Sequence, residues 1–248
     1  MNIIAVVQAR LGSSRLPMKV VEPVYRESSI LDIVLEKVTS VVGKNRTVLA
    51  TTREREDNLI AEIGEAAGVS VIRGSTDDVL SRFQTGVQET GADGCLRICA
   101  DNPLLLRDDL TRLIEIWKAN PVDYLSFGIG GIPTIRRHQG LWGEMIGGEA
   151  LLELNGFPLE KSDREHVTQY LYQNPGRFEV RIEPYQELPE VLINARLTVD
   201  TRFDLDNVRR LIKILGVSDP SITDIEQALL DNPDLQQSMA GEIRQNIK

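Results

Sequence analysis

The residues best suited by type and spacing to chemistry open the chain. The stretch Gln8-Ala9-Arg10-Leu11-Gly12-Ser13-Ser14-Arg15-Leu16-Pro17-Met18-Lys19 follows directly on an apolar run and carries three cations, Arg10, Arg15 and Lys19. Gly12 lets the backbone bend, Ser13 and Ser14 bring hydroxyls, and exposed amides in such a loop form an anion nest. Arginine forks and a lysine ammonium supply the charge that a triphosphate requires, although taken alone the segment also fits a solvated basic loop. Far away in sequence, Asp101 and Asp200 each close an apolar stretch and each stand before a helical pattern. Two carboxylates facing a polyphosphate are the usual means of holding magnesium, which prefers hard oxygen ligands and bridges phosphates. Either aspartate alone would serve equally as a cap or turn residue, so the argument rests on the constellation. The chain has no G-x-x-x-x-G-K-[ST] loop, and Gly128-Ile129-Gly130-Gly131 is a poor match to a dinucleotide fingerprint.

The elements that must carry these residues alternate between strand and helix patterns. Asn2 to Val7 is a short apolar run of the kind that fills a sheet covered on both faces. Ile30, Leu31, Val34, Leu35, Val38 and Val41 recur at helical spacing behind the caps Ser28 and Ser29. Strands are expected at Arg46 to Thr51, Val69 to Ile72, Cys95 to Cys99 and Asp123 to Phe127. Helices are expected at Asp57 to Ala67, from Val79 to Gly91 behind a Ser75/Asp78 capping box, and at Asp109 to Ala119. Strict alternation implies a parallel sheet with right-handed crossovers, and in such sheets ligands bind outside the carboxyl ends of the strands. The rhythm breaks at 128–148, where seven glycines and a proline suggest an excursion from the sheet. Helices near Glu149 to Leu154 and Arg164 to Tyr172 follow, then strands at Phe178 to Ile182 and Arg196 to Val199. A Thr201/Asp204 capping box begins a helix over Leu205 to Leu215, and two short outer helices end the chain, capped by Ser221 and by Asp231 or Asn232.

Composition bounds the function. The 248 residues hold 28 Lys and Arg against 37 Asp and Glu, a net charge of −9, with 42% apolar and 26% charged residues. That is an ordinary globular composition, expected as one domain with an inserted lobe; it excludes collagen, coiled coil and disorder. The acidic balance gives no footprint for a nucleic acid or an anionic membrane, while leaving room for a local cationic pocket. No apolar run approaches a membrane span, and the N-terminal run is too short for a signal peptide, so the expected compartment is the cytoplasm. Cys95 and Cys99 share one strand face, fit no zinc signature and are expected in the core, and Trp117 is expected in the core or at an interface.

In register along the chain stand QARLGSSRLPMK (8–19), LATT (49–52), RGSTDDVLSRF (73–83), LRICADNPLL (96–105), REHVTQYLYQNPGRF (164–178) and RLTVDT (196–201). With these motifs the sequence resembles the cytidylyltransferases that activate acidic sugars, such as CMP-Kdo and CMP-acylneuraminate synthetases. It is most like the branch of the spore coat polysaccharide biosynthesis protein F. The resemblance implies a nucleotide-diphospho-sugar transferase fold, a three-layer α/β architecture with a mostly parallel sheet. It implies transfer of CMP from CTP to an acidic sugar with release of pyrophosphate. Carried over by position, Arg10, Arg15 and Lys19 would hold phosphates, and Ala9, Gly12 and Ser13 would line the loop. Thr51, Arg73, Ser75 and Asp78 would lie near the nucleotide, and Arg164, Glu165, His166 and Glu144 near the sugar. Asp101 and Asp200 would ligate Mg2+, and Arg10, Lys19 and Asp101 would carry the catalysis.

The chain departs from that branch at several positions. It reads Ala100-Asp101-Asn102-Pro103 where Gly-Asp-Cys-Pro is usual, with Leu106 or Arg107 in place of an acidic residue just beyond. Gln139-Gly140-Leu141-Trp142-Gly143-Glu144 replaces a stretch resembling Arg-Gly-Leu-Asp-Val-Glu. These changes fall where the acceptor would lie. Two further readings therefore stand beside the first: a nucleotidyltransferase acting on a sugar phosphate, and a nucleotide-binding or scaffolding homologue with impaired turnover. His166 fits either an acceptor-binding residue or base, or a structural hydrogen-bonding residue. Arg136, Arg137 and His138 fit either a sugar-carboxylate pocket or an exposed loop. The excursion at 128–148 resembles the region through which relatives dimerise, so a homodimer is expected.

Overall fold

The computed structural model describes residues 1–186 and 188–245. Strand β1 (Ile3–Gln8) runs into the cationic loop, which ends in a 3-10 turn at Lys19–Val21. A small antiparallel ribbon, β2 (Pro23–Tyr25) and β3 (Ser28–Ser29), precedes α1 (Ile30–Val42). Alternating units follow: β4 (Thr47–Thr52), α2 (Asn58–Ala67), β5 (Ser70–Gly74), α3 (Val79–Thr90), β6 (Gly94–Cys99), α4 (Arg107–Ala119) and β7 (Tyr124–Ile129). The second half holds β8 (Ile132–Pro133), β9 (Glu144–Gly147), α5 (Gly148–Glu153), α6 (Lys161–Glu165), α7 (Gln169–Gln173), β10 (Val180–Pro184) and α8 (Glu190–Ile193). It ends with α9 (Arg202–Leu215), α10 (Ile222–Leu230) and α11 (Pro233–Gln245). No helix among the described residues is long and apolar enough to cross a membrane.

The main sheet has the order β10-β7-β9-β6-β1-β4-β5, with β8 paired to β7. β1 lies inside it between β4 and β6, parallel to both. Successive side chains of β1 point to opposite faces, as strand geometry demands. Ile3, Ala5 and Val7 join a core with α1, α4 and α9, while Ile4 and Val6 join a second core with α3 and α5. The result is the expected three-layer, mostly parallel architecture.

Local chemistry explains where helices start and stop. Ser29 with Asp32, Thr201 with Asp204, and Ser221 with Asp224 form reciprocal capping boxes, and Gly68 and Gly91 end α2 and α3 in left-handed conformations. α3 begins at Val79 as expected, but without the Ser75/Asp78 capping box. Asp78, not Ser75, caps it by accepting from the Ser81 amide, while Ser75 accepts from the Asp77 amide in the preceding turn.

Three expected elements take another form. The helix over Arg164 to Tyr172 breaks into α6 and α7, because Val167 and Thr168 turn into the interior, both 1% exposed. Arg196 to Val199 forms no strand: the Leu197 and Thr198 amides donate to the His138 carbonyl, and the Val199 amide donates to the Asp101 carbonyl. The 128–148 segment leaves the sheet only briefly and returns as β9, which fills the gap between β6 and β7, antiparallel to both. Gly130 and Gly131 make the turn between β7 and β8 at positive φ, whereas Gly148 serves close packing, since a Cβ there would stand 2.2 Å from the Ala92 carbonyl oxygen. Cys95 and Trp117 are buried as expected, whereas Cys99, at the end of β6, is only partly buried and faces a cavity.

Candidate active site

The C-terminal ends of β1 and β6 open onto a cavity of about 290 Å³, with the cationic loop as one wall. The loop is anchored from beneath. The Leu11 amide donates to Asp57 Oδ1 at 2.7 Å, and the Thr52 hydroxyl donates to the other oxygen of the same buried carboxylate. The loop therefore turns where Arg10, Ser13, Ser14, Arg15 and Lys19 line the cavity. Met18, at φ 61, sets Lys19 into the 3-10 turn with its side chain directed inward.

Lys19 is the centre of the arrangement. Its Nζ donates to Asp101 Oδ2 at 2.8 Å, to Asp200 Oδ1 at 3.1 Å and to the Val199 carbonyl at 2.6 Å. Burial works against the ammonium, but the two carboxylates more than offset it and hold its pKa above the ordinary lysine value. Arg15 reaches the same Asp200 oxygen at 3.0 Å. Behind Asp200 stands Arg196, whose side chain is fully buried. It donates to Asp200 Oδ2 at 3.0 Å, to Asp204 Oδ1 at 2.7 Å and to His138 Nδ1 at 2.7 Å. Because a guanidinium only donates, Nδ1 of His138 is the acceptor in this contact. His138 therefore supports Asp200 from behind, and Arg136 and Arg137 are the residues of that trio that reach a cavity.

Asp101 and Asp200, separated by ninety-nine positions, thus meet within 3.1 Å of one ammonium. Among the described residues no group of three or more His, Cys, Asp or Glu converges as a complete metal cage. Two hard carboxylate donors beside a cationic loop are the donor set suited to a cation that completes its shell with water and phosphate oxygens. The pair fits a magnesium-type ion in that sense.

A second cavity, of about 500 Å³, adjoins the first and shares Gln8, Arg15, Arg97, Cys99, Asp101, His166 and Asp200 with it. Its remaining wall includes Asn102, Arg136, Arg137, Trp142, Gln169 and Tyr172. Trp142 and Gln139, two of the departures from the expected motif, have defined places. Trp142 donates its Nε1–H to Asp109 at 2.9 Å, and Gln139 donates to the carbonyls of Leu192 and Ile193 at 3.0 and 3.2 Å.

Of the residues singled out from the sequence, Ala9, Arg10, Ser13, Arg15, Lys19, Asp101, Asp200, Glu165 and His166 all line the first cavity. The others sit elsewhere. Gly12 packs beside Glu56, and Thr51 is enclosed within β4. Arg73 donates to the carbonyls of Thr52 and Glu54 and to Asn58, tying β5 to the turn before α2. Ser75 and Asp78 organise the start of α3, and Arg164 donates to Asp78 at 2.9 Å, joining α6 to that helix. Glu144 is buried in β9, where it accepts from Arg97 at 2.6 Å, from the Tyr124 hydroxyl at 2.5 Å and from Thr168 at 3.1 Å. Burial first, and then the Glu144 charge, push the Tyr124 phenol well above its ordinary pKa. Glu144 is therefore a support beneath the second cavity and not part of its wall. Two wall cations went unread in the sequence, Arg82 and Arg97. Each interrupts an apolar pattern, Arg82 in the stripe of α3 and Arg97 on the inward face of β6, and that interruption was the available signal.

A mostly parallel sheet whose strand ends carry a cationic loop facing two carboxylates defines the nucleotidyltransferase class of α/β enzyme. The chain belongs to the cytidylyltransferase family, whose model matches residues 4–231. It is 36% identical to the uncharacterized protein MJ1063 of Methanocaldococcus jannaschii over 238 residues, covering 95% of this chain and 93% of that protein. It is 28% identical over 241 residues to the spore coat polysaccharide biosynthesis protein SpsF of Bacillus subtilis, covering 94% of this chain and 96% of that protein. Among solved structures, a cytidylyltransferase from Leptospira borgpetersenii superposes with a TM-score of 0.85 at 26% identity, covering 96% of this chain and 97% of the other.

Proposed function

We propose that this nucleotidyltransferase transfers CMP from CTP to an acidic sugar, releasing pyrophosphate, in the synthesis of a surface polysaccharide or glycan. The observation that carries the reading is the junction of the two cavities. A cationic loop suited to a triphosphate and a larger chamber flanked by Arg136 and Arg137 share Asp101, Asp200 and His166. The similarity to SpsF supports the polysaccharide context.

In this reading the loop amides, Ser13, Arg10 and Arg15 bind the triphosphate. Lys19 holds Asp101 and Asp200 at the α-phosphate, and a guanidinium of the second chamber takes the sugar carboxylate. A hydroxyl oxygen of the sugar attacks the α-phosphorus in line. The bond from that phosphorus to the bridging oxygen of the β-phosphate breaks, and pyrophosphate leaves with the electron pair. His166, at the border of both chambers, receives the hydroxyl proton. A Mg2+ ion held by Asp101 and Asp200 would neutralise the charge that builds on the phosphate oxygens. The protein's own contribution is positioning and fixed positive charge, which are the main sources of rate in phosphoryl-type transfer.

Pyrophosphate release is the test, measured with each nucleoside triphosphate, Mg2+ and a panel of acidic sugars. Release is expected with CTP, and Asp101→Asn is expected to lower it by about 100-fold or more. Turnover only with a sugar phosphate, yielding a nucleoside-diphosphate sugar, would overturn the reading. So would binding of CTP without release from any acidic sugar.

A further inference from the structure

Arg82 is the anomaly of the first cavity. It projects from the second turn of α3, on the opposite face of the sheet from Lys19 and Asp200, and the residue is only 3% exposed. Its stem crosses Gly74 so closely that a Cβ there would stand 2.5 Å from Arg82 Cγ. The missing side chain at position 74 is what admits it. Yet Nε and Nη1 are buried with no hydrogen-bond partner among the described residues. The nearby carboxylates are engaged elsewhere: Asp57 with the Leu11 amide and the Thr52 hydroxyl, Asp78 with the Ser81 amide and Arg164. The other cations of the cavity each have an acidic partner. Lys19 and Arg15 have Asp200, Arg97 has Glu144, and Arg10 has Glu165 at 3.7 Å. Burial, and then the like charge of Arg10, push the Arg82 guanidinium below its ordinary pKa. A buried cation of this kind is a standing penalty unless an anion arrives.

We infer that Arg82 binds a phosphate group of the nucleotide, together with Arg10, so that the triphosphate is gripped from both faces of the sheet. The inference rests on the nucleotide reading above and adds to it a residue outside the loop. An incoming phosphate oxygen supplies the missing partner for one guanidinium and separates two like charges. Phosphate binding therefore relieves a penalty that the burial of Arg82 imposes.

The test is calorimetric titration of wild type, Arg82→Met and Arg82→Lys with CTP, UTP and inorganic tripolyphosphate, alongside melting of the unliganded proteins. Arg82→Met keeps the stem and removes the charge. Its affinity for CTP and for tripolyphosphate is expected to fall about 10- to 100-fold, as for loss of hydrogen bonds to a charged group, with the ratio of CTP to UTP affinity unchanged. Its unliganded Tm is expected to equal or exceed that of wild type, the reverse of a structural role. Arg82→Lys keeps the charge without the fork and should fall between the two. A collapse of the CTP to UTP ratio with tripolyphosphate binding intact would assign Arg82 to the base and overturn the inference. Unchanged affinities would overturn it too, as would failure of Arg82→Met to fold or a markedly lower Tm. Wild type that binds tripolyphosphate without preferring CTP would instead overturn the choice of nucleotide and leave the role of Arg82 standing.

Discussion

Glu144 stands in β9 with both carboxylate oxygens engaged, one by Arg97 and the other by Tyr124 and Thr168. The side chains of the Arg97–Glu144 pair are 5% and 3% exposed, so solvent screens their interaction little. Removing one member of such a pair leaves the other charge buried, which costs more than the pair contributes. Glu144→Gln is therefore expected to lose about 3–5 kcal/mol in urea unfolding at neutral pH. The double variant Arg97→Met, Glu144→Leu should recover much of that loss, and additive losses would contradict a coupled pair. Position 144 also shows what a motif can and cannot tell. The sequence context marked Glu144 as important, but a buried carboxylate and a substrate-binding one look alike until the strand that carries them is placed.

At the scale of elements, α9 does more than cover the sheet. Asp204 accepts from the Thr201 amide at 2.8 Å and the Asp200 amide at 2.9 Å, and it pairs with Arg196, so the first turn of the helix fixes the carboxylate before it. Thr201→Ala removes the reciprocal half of that cap. It is expected to cost about 1 kcal/mol, read as a lower midpoint in thermal or chemical unfolding. An unchanged midpoint would show that Asp204 holds the turn alone. The Thr201/Asp204 pair was legible in the sequence because capping is a local interaction with fixed spacing. β9 was not, because its register is set by β6 and β7 and not by its own four residues. The turns that end at Asp101 and Asp200 were legible as places, yet Arg196 to Val199 reads as a strand and pairs with two loops instead.

Across the whole molecule, Lys37 links three distant parts. From α1 its Nζ donates to the Leu105 carbonyl at 2.9 Å, in the segment that leaves the Asp101 turn. It also stands 3.3 Å from Asp219, between α9 and α10, where Arg107 meets the same carboxylate. Burial outweighs Asp219 and lowers the Lys37 pKa from 10.5 to about 8. Between those values the folded chain binds fewer protons at this site than the unfolded chain, so its contribution to stability grows as pH rises. In melting curves from pH 7.5 to 10, the Tm of wild type is expected to gain on that of Lys37→Met, and a constant difference would contradict the assignment. Alternating patterns made the layered architecture readable because each unit is local. The juxtapositions that matter most, Arg82 with Arg10 and Lys37 with Asp219, join residues whose sequence neighbours carry no trace of the contact.

The place of β9 in the sheet has a consequence for how the molecule comes into being. β5, β4, β1 and β6 form a contiguous block from the first hundred residues, but β7 and β10 join it only through β9. During synthesis the loop at 8–19 has its scaffold early. β7, although made before β9, has no hydrogen-bonding edge on the block until residues 144–147 leave the ribosome. Asp200 arrives later still. A chain ending before residue 200 therefore holds the cationic loop and Asp101 without the second carboxylate that Lys19 joins to them.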